Sequence, residues 1–339
     1  VGLARNTYAP VFRVEAGGED ITAVIRERLI SLSITDEAGM QSDALSLTLS
    51  DGAPHVVLPT TGAELRVWLG YGDRAQYMGL YVVDGVTLSG PPQVLSITAS
   101  GAPFERSGTY TQLQTQRTRS WTPGTLGELA RVVAAEHGLT PAIAAEVEGR
   151  RLGHIDQIRE SDVNLVTRLA AEMGVLAKVG GGFLVLTPKA AGKAVSGAPL
   201  ARVRLSPGDV TSWRVEMAER GDYRRVVAQW RDTDSACDRE ESVGDGEPVY
   251  RLRHPYASRD AAEQAARAKL EAFQRGRATL SLTLPGRPDL RAEALAQLEG
   301  FREGLSGQWT VTKAEHKLDS SGYVTSVDGE QGQDAATPA

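Results

Sequence analysis

The only thiol in this 339-residue chain, Cys237, is the one side chain that could act as a sulfur nucleophile. It lies beside Asp232, Asp234, Asp238, Glu240 and Glu241, and their negative charge disfavours the thiolate such chemistry needs. One cysteine also excludes an intramolecular disulfide and a multi-cysteine zinc site. The histidines His55, His137, His154, His254 and His316 are widely separated, and none sits in the His-Glu-x-x-His pattern that places two imidazoles on one helix face. They are expected to be structural or surface residues. Asp232, Asp234 and Asp238 resemble the start of a calcium loop. That loop wants an oxygen ligand at its fifth position and Gly at its sixth, where this chain has Ala236 and Cys237. A solvated acidic hairpin tip is the expectation instead. Gly304-Leu-Ser306-Gly307-Gln308 fails the nucleophile elbow at its last position. Gly192-Lys193 runs into Ala194 and lacks the upstream Gly of a phosphate loop. Acids are plentiful, but no carboxylate pair is singled out for glycoside hydrolysis. The expected set of catalytic, metal and cofactor-binding residues is therefore empty.

Composition narrows the class. The chain is 41% hydrophobic and 24% charged, with a mean hydropathy of −0.25, as folded proteins are. Its length suggests two or three domains. Net charge is −6, which disfavours a general binder of nucleic acid or of anionic membranes. No apolar run approaches the roughly 20 residues of a membrane-spanning helix. VGLARNTYAPVF lacks the uninterrupted apolar stretch of a secretory signal. A soluble, reduced-compartment protein is expected. Arginine outnumbers lysine 31 to 6, which fits either a GC-rich genome or guanidinium groups used at protein interfaces.

Residues 9–101 read as strands. LISLSIT alternates, with Leu29, Ser31, Ser33 and Thr35 on one side and Ile30, Leu32 and Ile34 on the other; DALSLTLSD repeats the period with Leu45, Leu47 and Leu49. Near residue 117 the period changes. Thr125-Leu-Gly-Glu128 fits a capping box ahead of Leu126, Leu129, Ala130 and Val133, and Gly138 is a stop. A second helix starts at Ser161, carries Val166, Leu169, Ala170 and Met173, and ends at Gly174. KVGGGFLVLTP predicts a hairpin, and AAGKAVSGAP an exit linker. Strands return with VTSWRVEMA and YRRVVAQWRD. An acidic loop, Asp232 to Glu247, is expected to be exposed and mobile. A helix follows from Ser258 to Arg275, with a buried stripe of Ala262, Ala266, Leu270 and Phe273. RAEALAQLEGF suits a helix by propensity and a strand by alternation of Leu290, Ala292, Ala294, Ala296 and Leu298. We assign a strand.

Residues 68–90 echo 298–322. Gly70-Tyr71, Gly79-Leu-Tyr81-Val-Val83 and Ser89-Gly90 match Gly300-Phe301, Gly307-Gln-Trp309-Thr-Val311 and Ser321-Gly322. Either β-meanders share such punctuation by chance, or the chain holds two homologous β-barrels.

The segments LISLSITDEAGMQSDALSLTLSD, LPTTGAELRVWLGYGD, MGLYVVDGVTLSGPPQVLSITASGA, RTRSWTPGTLGELARVVAAEHGL, IDQIRESDVNLVTRLAAEMG, HPYASRDAAEQAARAKLEAFQRG and QWTVTKAEHKLDSSGYVTSVDGE together resemble the phage late control D family, in the family's order. RAEALAQLEGF departs from it, because the family shows a more β-branched strand there. The resemblance implies a mainly β fold with α+β insertions. Two homologous β-barrel domains of tail-tube type would be joined by a small α+β domain and a helix/loop insert. The expected boundaries are 1–108 for the first barrel, 109–198 for the α+β domain and 199–231 with 276–330 for the second barrel. The acidic loop and helix insert would occupy 232–275, and a tail 331–339. It further implies a non-enzymatic hub of a contractile tail baseplate, resembling the central hub of T-even phages and the amino-terminal half of type VI spike proteins. Such a hub is a homotrimer adapting a sixfold tail tube to a threefold spike. Implied partners are its own copies, the tail tube, spike and tape-measure proteins and the baseplate wedge, with DNA only as passing cargo and no stable membrane association. The negative charge suits such passage. The implied location is a virion tail assembled in the bacterial cytoplasm, or an R-type bacteriocin particle. Alternative readings are a baseplate-associated peptidoglycan hydrolase and a type VI-like effector carrier.

Overall fold

Strand alternation organises both ends of the computed structural model, which describes residues 9–39, 43–101, 112–122, 124–180, 183–189, 202–217, 223–232, 235–275, 278–302 and 305–331. No helix among these residues is long and apolar enough to cross a membrane. On the strand Ala44–Ser50, Leu45, Leu47 and Leu49 are buried while Ala44, Ser46 and Ser50 face out. Leu32 and Ile34 of Leu29–Glu37 pack with them against Val67, Leu69, Tyr81 and Leu95. Ile30 departs from the expected pattern. A register shift between Leu29 and Ser31 expels it, and it is exposed.

Six strands near the start pair in the order Leu29–Glu37, Ala44–Ser50, Val94–Gly101, Arg74–Ser89, Glu64–Tyr71 and Pro10–Ala16. Six strands near the end pair in the order Ser212–Met217, Ala278–Pro285, Gly322–Gln331, Gly307–Asp319, Leu295–Leu298 and Arg202–Leu205. Ranked by position along the chain, both groups read second, third, sixth, fifth, fourth, first. Every pair within them is antiparallel except the last of the second group, Arg202–Leu205 with Leu295–Leu298, which is parallel. The echo falls on the matching fifth strands. Tyr81 and Trp309 are both buried, and Val83 and Val311 each sit at the same β-bulge against the sixth strand. The third strands share Leu-Ser-Leu-Thr-Leu, at 45–49 and 280–284, a repeat the sequence reading passed over.

The groups are not separate sheets. Gly307–Asp319 pairs with Leu295–Leu298 along its first half and, from Lys313↔Glu37 to Asp319↔Ser31, with Leu29–Glu37 along its second. The result is one 13-stranded sheet. The disputed segment is a strand, but only over Leu295–Leu298. Ala296 and Leu298 face the core as expected, and Leu295 is buried too.

Between the two groups lies the α+β unit. Its helix Leu126–Glu136 opens on the expected capping box: the Glu128 amide donates to Thr125 Oγ1 at 3.1 Å and the Thr125 amide to Glu128 Oε2 at 2.8 Å. The helix Asp162–Glu172 is capped by Ser161, and Gly138 and Gly174, both at φ 65°, terminate the two helices in the left-handed region. The hairpin Val175–Gly180 and Phe183–Pro188 forms as expected, with Thr140–Ile143 added in parallel. Its turn glycines Gly181 and Gly182, the linker 190–199 and the tail from 332 lie outside the described residues.

A fourth unit corrects the expected boundaries. Arg225–Asp232, all but its last residue expected in the second barrel within 199–231, pairs instead with Cys237–Gly244 and Val249–Arg251 in a separate three-stranded sheet. The helix Arg259–Arg275 packs on this sheet through Ala262, Ala266, Leu270 and Phe273. The acidic segment is therefore mostly strand, not a mobile loop. Its carboxylates meet arginines on neighbouring elements: Asp232 with Arg239 and Asp238 with Arg231 at 2.8 Å, Glu240 with Arg251 at 2.6 Å and Glu241 with Arg259 at 2.9 Å. Such half-exposed pairs contribute little energy each, but they remove the repulsion that would have frayed the strand.

One close approach gives a test of the second group's packing. A Cβ on Gly286 would sit 2.1 Å from the ring of Tyr323, which is itself buried. Gly286→Ala should destabilise the protein by about 1–3 kcal/mol, read as a lowered melting temperature.

Candidate functional site

The residues flagged for chemistry do not converge. Cys237 is an exposed free thiol at the tip of its hairpin. His55 lies against Asp51, His154 against Asp156, and His254 is exposed in a loop. Ser306 donates its hydroxyl to the Phe301 carbonyl at 3.0 Å. Asp234, Gly192, Lys193, Ala194 and Gly304 lie outside the described residues. Two histidines are buried, and each marks a polar cluster that sequence reading could not assemble.

The first cluster holds the α+β unit together. Asp162 opens its helix with no solvent exposure and accepts hydrogen bonds from Arg119 at 2.7 Å, Gln157 at 2.8 Å and His137 Nε2 at 2.8 Å. Arg117 and Arg119, two apart and so on one face of their strand, also grip Glu136 at 2.6 and 2.8 Å. Trp121, two further on, lies under the Arg119 guanidinium at 4.2 Å and donates Nε1–H to Gln157. This accounts for the Arg-Thr-Arg-Ser-Trp run. Burial pushes the Asp162 carboxyl up, but hydrogen bonds from Gln157 and His137 and the charges of Arg119 and Arg117 outweigh it and hold the carboxyl below its usual range. Glu136, His137 and Asp162 offer ligand atoms within 4.8 Å of one another. Two guanidiniums already supply the positive charge there, so the donor set does not fit a metal cation.

The second cluster lies where the two strand groups join. His316 has no exposure; its Nδ1 meets Tyr323 Oη at 2.9 Å and Thr325 Oγ1 at 3.1 Å. Burial pushes its pKa down to about 4. Beside it, Ser33 donates to Glu315 at 3.1 Å and the Ala292 amide to Asp36 at 3.2 Å. Lys178, from the α+β unit, stands 3.5 Å from Asp36. Burial raises the Asp43 carboxyl to about 6 against the pull of Lys178, and burial likewise raises Glu293. Three parts of the chain thus share one set of buried charges.

What the surface offers is backbone and apolar area. Among the described residues Ser212–Met217 pairs only with Ala278–Pro285, and Val86–Ser89 only with Val94–Ile97, so each presents an open strand edge. Large apolar side chains stand uncovered there: Leu88 is 55% exposed, Trp213 45% and Met217 58%. Beside Leu88 opens a cleft of about 620 Å³ lined by Val56, Leu58, Gly90 and Pro91. Open edges with apolar flanks are pairing surfaces, so this arrangement can assemble.

Comparison with known proteins gives a consistent picture. Residues 109–322 match the family model described as phage tail baseplate hub (GPD). A "Probable baseplate hub protein" of Escherichia phage 186 is 31% identical over 96% of this chain and 94% of its own length, and its counterpart in Escherichia phage P2 matches to the same extent. Among solved structures, the 43 kDa tail protein of prophage MuSo2 from Shewanella oneidensis superposes with a TM-score of 0.71 at 19% identity, covering 96% of this chain and 99% of that one. That likeness establishes the fold.

Two outcomes test the clusters. Asp162→Ala should cost about 1–3 kcal/mol for each buried donor it leaves unmatched on Gln157 and His137, since Arg119 keeps Glu136, and the loss should appear in chemical denaturation at pH 7. Protonating His316 requires charging a buried ring. As pH falls from about 6.5 toward 4 the unfolded chain takes up that proton before the folded one, so its contribution to stability is full above 6.5 and is lost through that window. Melting temperatures of His316→Asn should therefore fall less steeply between pH 7 and 4 than those of the unsubstituted protein.

Proposed function

The chain belongs to the phage tail baseplate hub (GPD) family, and on that premise we propose that it is the trimeric adaptor between a sixfold tail tube and a threefold spike. It is a structural component of the virion tail, as its baseplate hub relatives are, and not an enzyme. The observation that carries the finer reading is the strand order, second-third-sixth-fifth-fourth-first, met twice in one chain. A ring of six equal surfaces cannot rest directly on three without leaving surfaces unmatched. A chain with two alike β units resolves this: three copies present six tube-like positions while keeping true threefold symmetry. In this reading each six-stranded group is a barrel of tail-tube type, a duplication of one ancestor. The α+β unit and the unit of 225–275 stand away from the ring.

The partners follow from the two symmetries. The tube side of the ring would meet the tail tube protein, the other side the spike, and the outer units the baseplate wedge. The tape-measure protein and DNA would occupy the channel. The identity of every partner is part of the proposal.

Copy number tests it. Quantitative mass spectrometry of purified particles should give three copies of this chain per particle, and a reconstruction should show both strand groups around one pseudo-sixfold axis, seated on the last six-membered ring of tube protein. Six copies per particle, or strand groups lying off a common ring, would overturn the adaptor.

A further inference from the structure

We propose that Ser212–Met217 of one chain adds as an antiparallel strand to Val86–Ser89 of the next copy, with Met217 opposite Val86, Glu216 opposite Thr87, Val215 opposite Leu88 and Arg214 opposite Ser89. The inference rests on the trimer reading above, and it supplies the contact by which copies join.

The template is the junction inside the chain. There the second strand of the first group, Leu29–Glu37, pairs with the fifth strand of the second group through Asp36↔Ala314, Thr35↔Glu315, Ile34↔His316 and Ser33↔Lys317. Each of these residues has a counterpart in the other group, fixed by ladders and not by likeness of sequence. Ser31 pairs with Thr48 and Ser212 with Thr283, and both threonines are the fourth residue of Leu-Ser-Leu-Thr-Leu. Ser212–Met217 therefore corresponds to Ser31–Asp36. The fifth strands align at their bulges, Val83/Gly85 against Val311/Lys313, so Gly85–Ser89 corresponds to Lys313–Lys317. Exchanging counterparts in the internal ladder yields the four pairs stated.

Burial supports the exchange independently. Leu32 and Ile34 are 0% and 1% exposed at the internal junction, whereas their counterparts Trp213 and Val215 are 45% exposed and half-buried. His316 is 0% exposed, whereas its counterpart Leu88 is 55% exposed. The same positions are fully covered where a neighbouring strand is present and half-covered or exposed where none is. Carried one pair further, the register sets Trp213 opposite Gly90, at the mouth of the cleft of about 620 Å³ lined by Val56, Leu58, Leu88 and Pro91. A large indole thus meets a residue without a side chain beside an unfilled space. The occupant that fits is a second copy of this chain, since it continues the 13-stranded sheet at the edge where that sheet stops. The contact is head-to-tail, and each copy keeps one edge of each kind for a ring that closes.

Disulfide trapping reads the register. With Cys237→Ser removing the native thiol, Val215→Cys combined with Leu88→Cys should give covalent dimers and trimers on a non-reducing gel, lost with reductant. Directly opposed residues of an antiparallel pair lie within disulfide reach. Val215→Cys with Thr87→Cys, one residue out of register and on the other face, should give none. Leu88→Arg, at a position exposed in the single chain, should leave the melting point of the monomer unchanged and weaken trimer formation by about tenfold or more in mass photometry. Trimers that trap only the out-of-register pair, or neither, overturn the strand register and leave the trimer standing. A chain that stays monomeric throughout overturns both.

Discussion

Seven residue pairs between Leu29–Glu37 and Lys313–Asp319 connect the two ends of the molecule, across a sequence separation of 282 at Ser33 and Glu315. Closing so long a loop costs entropy, and the first contact to form does not repay it. What repays it is a set of hydrogen bonds and buried side chains that arrive together: Leu318 and Tyr323 from the second group enter the core of the first, and His316 is sealed beneath the seam. The ladder also disposes of an edge. The side of Ser31–Glu37 that faces away from Ala44–Ser50 would otherwise present unpaired amides and carbonyls.

The α+β unit is tied to the same seam. Lys178 reaches Asp36 from the hairpin, and Glu293 and Asp43 share its charge. A lysine amid three carboxylates in a half-dry setting keeps its proton, because the acids raise its pKa more than burial lowers it. Burial, with a smaller push from Asp36, raises the carboxyls of Asp43 and Glu293 against the pull of that lysine. The inserted unit thus has an electrostatic anchor as well as its covalent connections, although its own apolar core, built on Leu126, Leu165 and Leu184, is separate.

Local physics was legible in the residues, and topology was not. Alternation located Ala44–Ser50, and the hydroxyl and carboxylate of Thr125 and Glu128 located a helix start, because each of those signals is complete within a few residues. Ile30 was misplaced because a bulge shifts the period without leaving a mark in composition. The acidic run at 232–247 read as a loop because its arginine partners, Arg231, Arg251 and Arg259, lie on or beyond its flanks, and only the pairing of strands brings them alongside. Asp162 went unnoticed for the same reason, since Arg119 is 43 residues away. The repeat Leu-Ser-Leu-Thr-Leu was in plain view, but alternating Leu with Ser or Thr is what any half-buried strand does. Its meaning came only from the matching ladders.

The duplicated groups keep one strand order but differ in one direction: Arg202–Leu205 runs parallel to its neighbour and Pro10–Ala16 runs antiparallel to its own. Reversing one strand leaves the hydrogen-bonded shape of the wall nearly unchanged but moves the incoming chain to the opposite rim. In a closed ring of three such chains, the wall would therefore count to six and the rims to three. A partner that docks on the wall would find six seats of like strand order, and one that docks on a rim would find two kinds of strand end in alternation. A single inverted strand would be enough to make such a ring read differently from its side and from its mouth.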